Sequence, residues 1–107
     1  MTHQMAVVLT TVANEVSAAE MGEVLIREKL AACIQEVTIN SRYRWKGSMQ
    51  CDREILLLIK TASDRVAETV AAIRKQHQYD LPEIVVLPVS AGLADYIAWV
   101  HAETRAD

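Results

Sequence analysis

Apolar and β-branched residues fill the first segment, Met5 to Ala13 (MAVVLTTVA), which predicts a strand covered on both faces. From Asn14 the period becomes helical. Ala18, Ala19, Met21, Gly22, Leu25, Ile26 and Leu30 fall on one side of a wheel, with Glu20, Glu23 and Arg27 opposite. Asn14 or Ser17 is the predicted N-cap, the latter through a capping box, Ser17-Ala-Ala-Glu20. Gly22 weakens that helix by about 1 kcal/mol against alanine, which predicts a close approach to the sheet at this point.

From Ile34 to Lys46 the pattern alternates, with Val37, Ile39, Ser41, Tyr43 and Trp45 on one face and Glu36, Thr38, Asn40, Arg42, Arg44 and Lys46 on the other. The chain turns around Gly47-Ser48, and the segment from Cys51 to Lys60 returns as a second arm, apolar throughout from Ile55 to Ile59. Ser63 and Asp64 open a second helix carrying Val66, Val70 and Ile73 inward, with Arg74 and Lys75 complementing the dipole at its end. Glu83 to Val89 forms a fourth strand, and Leu93, Tyr96, Ile97 and Val100 mark a final helix.

This order, βαββαβ plus a terminal helix, predicts an α+β fold: a ferredoxin-like antiparallel sheet with both crossover helices on one face. Strands one and three are apolar on both sides, so the other face needs a cover, and a second copy of the chain is the simplest. An arm of 13 residues extends about 43 Å, well beyond an ordinary strand, and its tip is expected to pair with a neighbour. The same hairpin puts Cys33 opposite the region of Ala62, roughly 36 Å from Cys51, which excludes an intrachain disulfide.

Composition narrows the class. With 51% apolar residues in 107, the chain can fill one core, so residues 1–107 read as a single domain. Eleven Lys and Arg against fourteen Asp and Glu leave a net charge of -3, which argues against nucleic-acid partners and a polybasic membrane anchor. No apolar run approaches a spanning helix and no signal-peptide core precedes Met5, so the expected location is cytoplasmic. Cys33 and Cys51 are expected as thiols, Cys51 the more accessible. Neither a P-loop, GxGxxG, HExxH nor GxSxG occurs, and no nucleophile is paired with a base, so no enzyme is expected.

Candidate chemistry gathers in His77-Gln-Tyr79-Asp80-Leu-Pro82-Glu83. His77 offers a nitrogen donor and Asp80 or Glu83 oxygen donors, a mixture suited to copper or zinc or to a small-anion site. The plainer reading is a helix C-terminus with a packed tyrosine. Tyr43 and Trp45 are either a stacking platform or an interface between subunits. Arg42, Arg44 and Lys46 make a short cationic stripe. Lys60 is either a snorkelling surface residue or the partner of a carboxylate such as Glu83. His3 and His101 are expected in solvent.

Five landmarks resemble the CutA divalent-cation-tolerance proteins: Leu30-Ala-Ala-Cys33, Tyr43-x-Trp45-x-Gly47, Leu57-Leu-Ile-Lys60-Thr61, His77-x-Tyr79-x-x-Pro82-Glu83 and Tyr96-x-x-Trp99. The resemblance implies a homotrimer of PII-like build and a role in tolerance of divalent metals. It implies no obligatory cofactor, with Cu(II) or another divalent ion as ligand. Some relatives carry a copper site that looks like a cysteine at the end of strand one and paired histidines at the end of helix two. Here those positions hold Thr10, Gln76 and His77, so that site is expected to be weak or absent. Three readings follow: a metal-responsive trimer with His77, Tyr79 and Glu83 in an intersubunit cleft with Tyr43, Trp45 and Lys60; a PII-like binder of a small organic anion through Lys60, Arg42 and Arg44; and a scaffold trimer without ligand.

Overall fold

The computed structural model describes residues 3–106; positions 1, 2 and 107 of the predicted domain lie outside the described residues. The elements are β1 (Met5–Val12), α1 (Glu15–Arg27), β2 (Cys33–Trp45), β3 (Ser48–Ala62), α2 (Val66–Gln76, entered through a 3-10 turn at Ser63–Arg65), β4 (Ile84–Pro88) and α3 (Ala94–Glu103). One antiparallel sheet runs in the order β2-β3-β1-β4, the ferredoxin-like arrangement.

Asn14 caps α1 by accepting the Ser17 N–H at 2.9 Å, so the capping box at Ser17 is not used; Ser17 already lies inside the first turn. Only Ala18, Met21 and Leu25 of α1 are buried, while Ala19 and Ile26 face solvent. A helix lying flat on a sheet buries a narrower stripe than the wheel suggests. The helix ends in a Schellman motif, with Lys29 at φ 58° and the Leu30 N–H on the Leu25 carbonyl at 2.9 Å. Lys46 (φ 50°) and Gly47 (φ 82°) form a two-residue turn that sets Trp45 opposite Ser48. The tighter turn shifts the register by two from the sequence reading, and Cys33 faces Lys60 instead of Ala62. Both cysteines are free thiols, and Cys51 is the exposed one.

The two faces of the sheet carry different work. Val8, Val12, Ile55, Leu57 and Ile59 point to one side and close a core with Ala18, Met21 and Leu25 of α1 and Ile73 of α2. Thr69 also faces inward, its hydroxyl donating at 2.8 Å to the carbonyls of Leu30 and Arg65. That dual bond explains a buried polar residue where periodicity predicted only apolar ones. On the other side stand Val7, Leu9, Leu56, Leu58 and Lys60. The chain's own α3 packs on β3 and β1 there, with Lys60 Nζ 5.4 Å from the Tyr96 ring centroid. A second copy is therefore not the only cover for this face. Val37, Val85 and Leu87, 44–47% exposed, still lie open on it.

Thr10 and Thr61 are fully buried with hydroxyls that have no hydrogen-bond partner among the described residues. A hydroxyl stripped of water without replacement costs roughly 1–3 kcal/mol. Thr10→Val, which keeps the shape, should raise the unfolding free energy by about 1 kcal/mol in denaturant titration. Gly22 does not mark a close approach. A Cβ there would lie 3.8 Å from Ile34 Cδ1, an ordinary van der Waals contact that leaves room for a methyl group. Gly22→Ala should therefore stabilise the chain by about 0.5–1 kcal/mol in the same assay.

Candidate functional site

β1 stops at Val12, opposite Ile55, while β3 continues outward to Ser48 with only β2 beside it. Beyond the end of β1 the sheet is thus two strands wide, and the loop after α2 fills part of the space. His77 anchors that loop. Its Nε2 lies 2.8 Å from the Thr11 carbonyl oxygen, which can only accept, so Nε2 carries the proton. Its Nδ1 accepts the Tyr79 N–H at 3.2 Å. Both nitrogens are engaged by backbone, and the ring packs against Tyr79 with centroids 4.8 Å apart.

Tyr79, so held, reaches across to β3 and donates its hydroxyl to Glu54 Oε2 at 2.9 Å. Glu54 is only 8% exposed, and this bond offsets part of the cost of burying its carboxylate. One step further out, the Tyr43 hydroxyl donates to Asp52 Oδ2. Asp52 opposes Ser41 and Glu54 opposes Ile39, so strand alternation sets both carboxylates on the face that carries Tyr43 and Trp45. Together with Glu83 these groups line an open cleft of about 740 Å³ at the root of the hairpin. Burial, then the bond to Glu54 and its charge, pushes the Tyr79 phenol above its usual range. The bond to Asp52 raises the Tyr43 phenol.

The cleft gathers Tyr43, Trp45, Tyr79 and Glu83 of the sequence candidates, and with them Asp80. His77 instead borders a separate small cavity of about 40 Å³ between α1 and the loop. Lys60 lies six residues along β3 from Glu54, roughly 20 Å away, under Tyr96 and not beside Glu83. Asp52 and Glu54 were not singled out from sequence. Their spacing of two matches Tyr43 and Trp45 across the hairpin, but only the register reveals that they share a face.

The copper set implied by resemblance does not fit these residues. Thr10 offers a buried hydroxyl, Gln76 a buried amide nitrogen without a lone pair to give, and His77 a ring whose two nitrogens are both spent. Among the described residues, no three His, Cys, Asp or Glu side chains gather to hold a metal ion.

Fold and cleft together define a class: a ferredoxin-like α+β chain with an over-long hairpin and a carboxylate–phenol cleft at its root. Residues 6–103 match the model of the CutA1 divalent ion tolerance protein family, and the chain belongs to that family. It is 38% identical over 99 residues to the divalent-cation tolerance protein CutA of Thermus thermophilus, covering 92% of this chain and 96% of that one. It is 37% identical over 100 residues to the chloroplastic CutA of Arabidopsis thaliana, where it spans 55% of the longer relative. The crystal structure of CutA1 from Oryza sativa superposes with a TM-score of 0.92 at 37% identity, covering 97% of this chain and 96% of that one. Relatives in that family are named as divalent-cation tolerance proteins.

Because the folded pKa of Tyr79 lies above its unfolded value of about 10, its contribution is complete below that pH and is lost as pH rises through the folded pKa. Tyr79→Phe should cost about 1.5–3 kcal/mol at neutral pH. The deficit should shrink at strongly alkaline pH, as denaturant unfolding of both chains across that range would reveal.

Proposed function

We propose that this chain acts as a homotrimer in divalent-metal tolerance, without catalysis, and that the hairpin-root cleft is its cation site. The observation that carries this reading is the cleft's charge. Asp52, Glu54, Asp80 and Glu83 line it against Arg42 and Arg53, an excess of carboxylate that attracts cations and repels small anions. Carboxylate and phenol oxygens suit a hard or borderline divalent ion better than a soft one. His77 serves as a positioning residue that holds Tyr79, and Glu83, exposed at the start of β4, is the assigned oxygen donor.

One chain is incomplete as a binder. Among the described residues, the segment of β3 from Ser48 to Glu54 pairs on one edge only, and β4 presents Val85, Val86 and Leu87 at 39–46% exposure on the opposite side of the sheet. Unpaired strand edges and apolar surface both favour association. A neighbouring copy would bury Tyr43 and Trp45, now 42% and 41% exposed, and close the cleft. Lys60, on which the anion reading leans, faces the Tyr96 ring and is not part of the cleft lining. Two free thiols, one of them exposed, suit a reducing compartment such as the cytoplasm.

Sedimentation equilibrium should give three chains per particle. Calorimetric titration of Cu(II) and Zn(II) into that particle should resolve a cleft site that Glu83→Gln weakens by at least about tenfold. A monomer, or metal binding indifferent to Glu83→Gln, would sink this reading.

A further inference from the structure

Two histidines 98 positions apart meet in space at the end of β1 away from the cleft. The rings of His3 and His101 stack with centroids 4.3 Å apart and planes tilted by 34°. His101, in the last turn of α3, has Nε2 2.6 Å from the Gln4 carbonyl oxygen. That oxygen only accepts, so Nε2 holds the proton, and in the neutral ring Nδ1 is the nitrogen with a lone pair. An imidazole whose other nitrogen donates to a backbone carbonyl is the arrangement found in metal ligands, because the bond fixes tautomer and ring and raises basicity. The exposed ring of His3 has no hydrogen-bond partner among the described residues. His77 is the opposite case, with both nitrogens spent.

The cation nearby does not oppose a metal ion. Arg105 stands close by and donates its Nε to the His101 carbonyl at 3.0 Å, but its charge is neutralised by Asp64 through a bidentate pair at 2.7 and 2.6 Å. That clamp also ties the end of α3 to the turn before α2, holding His101 in place. Two imidazole nitrogens on one ion, at bonds of about 2.0–2.1 Å, lie about 3 Å apart. With rings already 4.3 Å apart, rotation of the exposed His3 side chain reaches that while His101 stays on the Gln4 carbonyl.

We infer that His3 and His101 form a two-imidazole site for a divalent ion of the zinc and copper class, with water completing the coordination. Such a site fastens the segment before β1 onto α3. It shares no residue with the cleft and lies roughly 23 Å from it along β1, so it stands or falls independently of the cleft reading.

The test is calorimetric titration of zinc chloride into the full chain and into His3→Gln, His101→Gln, His77→Gln and Glu83→Gln, with thermal midpoints recorded with and without zinc. His3→Gln and His101→Gln should each weaken one zinc site per chain by at least about tenfold and abolish its thermal shift. His77→Gln and Glu83→Gln should retain that site. Magnesium, which prefers oxygen ligands, should not compete for it. Zinc affinity unchanged by both His3→Gln and His101→Gln, or no zinc binding at all, overturns the inference. Should His101→Gln disturb α3, His3→Gln decides, since His3 lies outside every helix and strand.

Discussion

The ladder between β1 and β3 ends at Val12 and Ile55, and the functional end of the molecule follows from that limit. Had β1 run further, it would have occupied the space that the His77–Glu83 loop now enters. Because it stops, the exposed edge of β3 is free, the loop hangs from the Thr11 carbonyl, and Tyr79 can reach Glu54. A short central strand beside a long hairpin thus creates cleft and association edge together.

Within the cleft, charge is managed by phenols. A carboxylate as buried as Glu54 needs a donor, and a tyrosine supplies one without adding positive charge. The same pairing recurs between Tyr43 and Asp52. The carboxylates therefore keep their negative character toward the cleft, which a lysine or arginine in the same places would cancel. Four carboxylates against two arginines in the lining favour the cation reading over the anion reading.

The three histidines show how little residue type says about ligation. His77 stands in the richest motif of the sequence, yet its ring is a structural pin between a strand end and a loop. His3 and His101 stand near the two ends of the chain and looked like solvent groups, yet they touch. Lone-pair availability, fixed by which backbone groups the ring already serves, separates the two situations.

Much of the fold was legible in the sequence. The shift from continuous to alternating to helical periodicity located all four strands and three helices, since each period reports a single local geometry. Asn14 could be named as a cap, and Gly47 as part of the turn, for the same local reason. The landmark motifs pointed to the family, but the contacts within them did not follow. That Glu54 faces Tyr79, that Lys60 lies under Tyr96, and that the turn at Lys46-Gly47 moves Cys33 opposite Lys60 depend on hairpin register and loop path. A shift of two residues in register leaves every hydrophobic pattern intact while changing each cross-strand partner. Periodicity is a property of one segment, whereas a site is a property of several segments meeting, and only tertiary packing decides where they meet.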